Sequence, residues 1–192
     1  MVAPQKGCEI NLNKVPPVRV SEIAGIAVIR MGSAADRAWT AGVMANSEPW
    51  LTLKRTRADA LQLLRNRRKQ CFLVRSGGER AGFLVLDLSG PLGGYIQTIG
   101  VAPEMRGRGV GSAALAWAEA HIFKSHRNVL LCVSSFNRDA QRLYRRAGYE
   151  VVGRLRDYVV AGHDEILMRK TLGPLSPETP TPRKQRQQRK AR

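Results

Sequence analysis

The chain has 192 residues, 43% of them hydrophobic, and a formal net charge of +17. That length suits one domain with tails and a sizeable core, and the apolar content argues against a largely unfolded chain. The basic balance favours an anionic partner, either a nucleotide-containing ligand or a nucleic acid, and charge alone does not separate the two. Cys8, Cys71 and Cys132 show neither metal-ligand spacing nor a disulfide framework, which fits a reducing cytoplasm. The start lacks a basic-then-apolar leader and no apolar run approaches a membrane span, so a soluble cytoplasmic protein is expected.

Residues 1–24, with Pro4, Pro16 and Pro17, read as a loosely ordered arm. Ile26 to Met31 is a short apolar run and a first strand. Ser33 and Asp36 then resemble a capping box, with Asp replacing the usual Glu or Gln, ahead of a helix carrying Ala38, Trp39 and Val43. The segment Asn46-Ser47-Glu48-Pro49-Trp50 breaks that helix. Thr56 and Asp59 mark a second cap, followed by a basic amphipathic helix with Ala60, Leu61, Leu63 and Leu64.

Cys71–Arg75 and Ala81–Leu88 are apolar runs joined by Ser76-Gly77-Gly78-Glu79. So short a link makes an antiparallel hairpin. A turn at 89–94 leads to a strand from Tyr95 to Val101, and a helix follows from about Val110 to Phe123. Val129–Val133 is a buried-type strand, and Asn137–Arg146 is a short helix closed by Gly148. Tyr149–Arg154 and Glu165–Lys170 read as two last strands, with Ala161-Gly162-His163-Asp164 at or near their turn. From Gly173 on, prolines give way to Arg/Gln low complexity with a local charge of +5, a disordered tail. The expected boundaries are therefore an arm at 1–24, a domain at 25–172 and a tail at 173–192. Neither a doubly wound nucleotide fold nor a helix bundle has this element order.

The most informative segment is Ile99-Gly100-Val101-Ala102-Pro103-Glu104-Met105-Arg106-Gly107-Arg108-Gly109-Val110-Gly111. A strand, a glycine loop and a helix in that order make an anion cradle. Glycines allow close backbone approach, loop N–H groups meet the positive end of the helix dipole, and Arg106 and Arg108 add cationic donors. The expected guest is a pyrophosphate. The G-x-G-x-G spacing is not the dinucleotide fingerprint, and a P-loop's Gly-Lys-Ser or Gly-Lys-Thr ending is absent.

Arg106, Gly109 and Gly111, with the Val101-Ala102-Pro103-Glu104 lead-in, match the hallmark of the GNAT superfamily of N-acetyltransferases. Asn137, Ala140, Leu143-Tyr144 and Gly148-Tyr149 resemble a second element of that family. The resemblance spans roughly residues 26–171. It implies an α/β (α+β) fold: a mixed, mostly antiparallel sheet of about seven strands flanked by about four helices. It also implies acetyl-CoA as acetyl donor and direct attack by a primary amine of a small molecule or peptide. On this resemblance, backbone groups of Ile99, Gly100 and Val101 meet the pantetheine arm. Residues Arg106, Gly107, Arg108, Gly109, Val110, Gly111 and Ser112 hold the pyrophosphate. Asn137 hydrogen-bonds pantetheine, and Tyr144 is the acid for the departing thiolate, a role suited to a phenol near its ordinary pKa of ~10.

The ending Gly162-His163-Asp164-Glu165-Ile166-Leu167-Met168 resembles the ribosomal-protein N-terminal alanine acetyltransferases. Those enzymes carry a glutamate base where this chain has Cys132. Glu48, Trp50, His163 and Asp164 are the candidates for the acceptor side. Cys132 reads as a small buried hydrophobe, and His121 and His126 as surface residues near a helix end. The competing reading is a nucleic-acid-binding module on the same fold, with the basic tail as a nonspecific anion-binding segment. A monomer or homodimer away from membranes is expected, and no metal role is assigned.

Overall fold

A computed structural model of the chain describes residues 25–176. The expected arm and most of the basic tail lie outside the described residues. The elements run β1 (Ile26–Arg30), α1 (Ala34–Ala45), α2 (Arg57–Arg65), β2 (Gln70–Ser76), β3 (Glu79–Asp87) and β4 (Tyr95–Val101). They continue with a 3-10 turn at Pro103–Met105, α3 (Val110–Ile122), β5 (Asn128–Ser134), α4 (Arg138–Arg146), β6 (Glu150–Val160) and β7 (His163–Thr171). This is the order expected from the sequence.

The strands form one seven-stranded sheet, ordered β1-β2-β3-β4-β5-β7-β6. All neighbours are antiparallel except β4 and β5. The fold class is thus the mixed, mostly antiparallel α/β sheet with four helices that the sequence pointed to.

Each sheet face carries its own core. On one face α3 and α4 cover the sheet, with Val110, Ala114, Leu115, Ala118, Ile122 and Tyr144 packed on Leu84, Ile96, Leu131 and Met168. On the other, Ala41, Met44, Ala60 and Leu64 of α1 and α2 pack on Leu73, Phe83 and Val85. Local signals start both helices. Ser33 Oγ accepts from the Asp36 N–H at 3.0 Å, and the Asp36 carboxylate pairs with Arg80. Thr56 and Asp59 close a full reciprocal capping box.

Two expectations change. His121 is part of a stack rather than a surface residue: its ring lies on Trp117 at 4.9 Å, and its Nε2 is 2.8 Å from Gln70 Oε1. The turn between the last strands is only Ala161-Gly162, so His163 and Asp164 open β7 rather than sit in a loop. β6 runs on to Val160, past the expected Arg154, because the hairpin tolerates an irregular register between Leu155 and Val160. Asp157 takes a positive φ of 47° in that stretch, a conformation for which Asp is better suited than most residues. Arg154, Arg156 and Asp157 break the apolar pattern there, which hides the strand from a sequence reading.

Candidate active site

β4 and β5 are paired only at Tyr95↔Leu130 and Ile96↔Leu131. Beyond these positions the two parallel strands part, and Gln97–Val101 have no strand partner on their β5 side among the described residues. A fork therefore opens in the middle of the sheet, bordered by strand edges with free backbone groups. A bulge at Gln97 (Leu86 pairs with Ile96, and Val85 with Thr98) re-aims β4 where the fork begins. Gly100 lines this stretch for a steric reason. A Cβ there would lie 2.4 Å from Phe83 Cζ and 2.7 Å from Trp50 Cη2.

The glycine loop stands at the end of β4. Gly107 and Gly109 take φ values of 74° and 77°, with Gly109 as the left-handed N-cap of α3. No side chain caps this helix, and the N–H groups of residues 107–112 have no acceptor among the described residues. A row of free donors at a helix N-terminus is what a phosphate or pyrophosphate needs. The structure gives Arg106 a further task. Its Nε donates to the Val101 carbonyl at 3.3 Å and its Nη2 to the Glu48 carbonyl at 3.4 Å. The guanidinium thus ties the loop to β4 and to the 46–50 segment, and takes the Val101 carbonyl out of the free set. Arg108 lies near Met105 Sδ, at 3.8 Å.

Asn137 is the N-cap of α4, its Oδ1 accepting from the Ala140 N–H at 3.2 Å. The amide nitrogen of the same side chain makes no hydrogen bond among the described residues, so capping and ligand contact are compatible. The Tyr144 ring is buried against Tyr149, with centroids 5.8 Å apart. Its hydroxyl has no partner among the described residues, yet it is not one of the polar atoms sealed from solvent. Burial pushes this phenol above its ordinary range, not near the reference value expected from sequence. It is therefore suited to donating a hydrogen bond to a developing thiolate more than to giving up its proton outright.

The acceptor candidates fare unevenly. The Glu48 carboxylate is exposed and bonded locally to Thr52, at 3.0 Å from its Oγ1, while its backbone touches Arg106. Trp50 sits in the core beneath Gly100, its ring 5.5 Å from Phe83, and is not on an open wall. His163 packs edge-on to Phe136 at 5.0 Å. Asp164 accepts from the Asp157 N–H and is tied to Arg154, which holds its carboxyl below the usual range and makes it a clasp of the β6–β7 hairpin.

Strand register brings together residues that the sequence reading left apart. Leu130, Cys132 and Ser134 alternate to the face opposite the α3–α4 core. Tyr95 joins them from β4, and Glu165 lies directly across from Ser134 on β7. Ser134 Oγ donates to Glu165 Oε1 at 2.6 Å, and the Tyr95 hydroxyl neighbours the Cys132 sulfur. Burial pushes the Cys132 thiol up, which disfavours the thiolate and fits a small packing residue rather than a nucleophile. Glu165 was legible only as one letter of the Gly162–Met168 motif. Pairing of β5 with β7 is what places it directly behind the β5 edge of the fork.

The family model for the acetyltransferase (GNAT) family matches residues 33–149. The chain belongs to the GNAT family. Among relatives of this GNAT chain is the N-alpha-acetyltransferase RimI of Mycobacterium tuberculosis, 38% identical over 104 residues, which are 52% of this chain and 65% of that protein. An uncharacterised protein of Mycobacterium leprae is also 38% identical, over 47% of this chain and 25% of its own length. The chain thus spans less than two thirds of the curated relatives it matches. Similar solved structures include Ard1 from Thermoplasma volcanium, with TM-score 0.66, 20% identity, 79% of this chain and 100% of that one. Another is the spermidine N-acetyltransferase from Vibrio cholerae in complex with CoA and spermine, with TM-score 0.62, 17% identity, 77% of this chain and 96% of that one. At these identities the likeness is one of fold.

Proposed function

We propose that the protein is an N-acetyltransferase that moves an acetyl group from acetyl-CoA to a primary amine of a small molecule or peptide. The observation that carries this reading is the fork between β4 and β5 ending at an uncapped helix N-terminus with free N–H groups. A ligand with an extended amide-bearing arm and a pyrophosphate at one end matches both parts. When bound, acetyl-CoA supplies an activated acyl carbon with a thiol leaving group. Ile99, Gly100 and Val101 border the fork and offer backbone groups to the arm. The loop from Arg106 to Ser112 receives the pyrophosphate through backbone donors, with Arg106 holding its shape. Asn137 offers its free amide nitrogen, and the Tyr144 hydroxyl stabilises the departing sulfur by hydrogen bonding.

The acceptor we favour is the α-amine of a peptide or protein, supported by the 38% identity to an N-alpha-acetyltransferase. A cytoplasmic setting is part of this proposal, and no helix among the described residues is long and apolar enough to cross a membrane. Labelled acetyl-CoA incubated with the protein and a cell lysate tests the acceptor. Label in protein N-termini supports this class. Label confined to small amines overturns it while leaving acetyl transfer in place, and no label anywhere contradicts acetyl transfer itself.

A further inference from the structure

Two carboxylates are buried among the described residues, Glu119 and Glu165, each 5% exposed. They are treated very differently. Glu119 has a cation of its own, with Lys170 Nζ at 2.6 Å from its Oε2. Glu165 is in no ion pair among the described residues, although the chain carries 32 Lys and Arg against 15 Asp and Glu. Its one hydrogen bond there comes from the neutral Ser134 hydroxyl, to Oε1, which leaves Oε2 without a partner. An unpaired buried carboxylate is costly to a fold, and such groups cluster at functional sites.

Its place in the sheet supplies the reason. The last β4–β5 pair involves Leu131, so Cys132 is the first β5 residue past the parting of the strands. Ser134 lies two residues further along the same face, about 7 Å on. Glu165 is across from Ser134, so it lies one strand behind the β5 edge of the fork, on the face opposite α3 and Tyr144, and its carboxylate reaches that edge at the Ser134 hydroxyl. The titratable groups around it are Tyr95 from β4, Cys132 from β5, His163 two residues earlier on the same face of β7 and, reaching over Tyr95, Tyr158 from the irregular stretch of β6. None of these is a lysine or an arginine. Burial pushes the Glu165 carboxyl above its ordinary range, toward the pH where an acid–base catalyst works best.

We infer that Glu165 is the acceptor-side base of the transfer: it pairs with the ammonium group of the incoming amine and removes its proton. The inference rests on the acetyltransferase reading above. The acceptor nitrogen arrives with a positive charge and gives up two protons in all. One passes to Glu165 Oε2 and on to water. The freed lone pair forms the new N–C bond as the C–S bond breaks, and the sulfur takes up the equivalent of the second proton within hydrogen-bond reach of Tyr144. The base sits one strand over from Cys132, where the resembled N-terminal alanine acetyltransferases carry theirs.

The test uses the full chain, acetyl-CoA, and two probes: a peptide with a free N-terminal alanine, and spermidine. Glu165→Gln keeps the size and the bond from Ser134. On whichever probe the wild type acetylates, it should lower kcat/KM at least ~100-fold at neutral pH, with acetyl-CoA affinity by calorimetry unchanged. Its remaining rate should climb with pH as the free amine deprotonates unaided, so that the acidic limb moves from the carboxylate's titration to the much higher one of the amine. The double variant Cys132→Glu with Glu165→Gln should recover part of the rate. Equal kcat/KM in wild type and Glu165→Gln overturns the inference. A second arm needs no acceptor: Glu165→Gln should match or exceed the wild-type Tm at pH 7, because it removes a buried unpaired charge. A lower Tm means that Glu165 is scaffold, and overturns the assignment. Wild type that binds acetyl-CoA and acetylates neither probe counts against the acceptor class, and Glu165 is then decided by the Tm arm.

Discussion

The two halves of the fork are built on different principles. The proposed donor half, from β4 through the glycine loop to α3, presents backbone: among the described residues, unpaired strand-edge groups along 97–101 apart from the Val101 carbonyl, and free N–H groups at 107–112. The proposed acceptor half, centred on β5 and β7, presents side chains from strands distant in sequence, with Cys132, Ser134 and Glu165, and Tyr95 from β4, brought to one face by register. Backbone recognition requires glycines and local order, so it leaves a motif. Side-chain recognition assembled by pairing leaves none. A basic, apolar-rich chain can therefore announce what it gives while concealing what receives it.

Substitutions separate the halves further, beginning with those expected to act most strongly. Gly94→Ala should be the most damaging, since a Cβ there would lie 2.1 Å from Ile122 Cγ2 and 2.6 Å from the Asn128 carbonyl. The backbone would have to shift where β4 meets β5, so chemical denaturation should show a loss of about 3 kcal/mol. Tyr144→Phe should lower kcat roughly 100-fold and leave acetyl-CoA affinity within about twofold, since in the proposed role the hydroxyl serves only the leaving sulfur. A matching loss of affinity would move Tyr144 from chemistry to binding.

Arg106→Ala should weaken acetyl-CoA binding about tenfold by loosening the loop that its guanidinium ties to Val101 and Glu48. Binding measured against salt concentration checks the mechanism: a loop-holding role leaves the salt dependence close to that of the wild type. Thr56→Ala removes the α2 capping box, far from the fork, and should cost about 1 kcal/mol with unchanged kcat. The smallest effect concerns His121, whose pKa is lowered by burial in its aromatic stack. The unfolded chain binds this proton more readily than the fold does. Stability should therefore fall as pH drops below about 6.5, and His121→Phe should flatten that slope in melting curves.

Most of the fold was legible because local signals agree with the global arrangement. Caps at Ser33 and Thr56, the Gly77-Gly78 hairpin and the Gly148 stop each sit where the elements begin or end. The legible part of the site was the cradle, for the same reason: Gly107 and Gly109 are demanded by their own φ values. An aromatic in a helix-breaking segment reads equally as a wall residue or as core, and only the packing shows that Trp50 fills space under Gly100. His163 and Asp164 read as turn residues because the expected turn, Ala161 to Asp164, runs two residues past the observed Ala161-Gly162. Glu165 was hidden because its meaning depends on Ser134, 31 residues away in sequence and 2.6 Å away in the fold.

The central claim is that the uncapped α3 N-terminus and the β4–β5 fork together form a coenzyme A site. Calorimetric titration of the full chain with acetyl-CoA tests it most directly. Saturable one-to-one binding in the micromolar range, markedly weakened when Gly109 is replaced by a residue that resists φ near 77°, is the expected result. Absence of binding up to hundreds of micromolar (by order of magnitude a Kd no tighter than ~1 mM) would contradict the account.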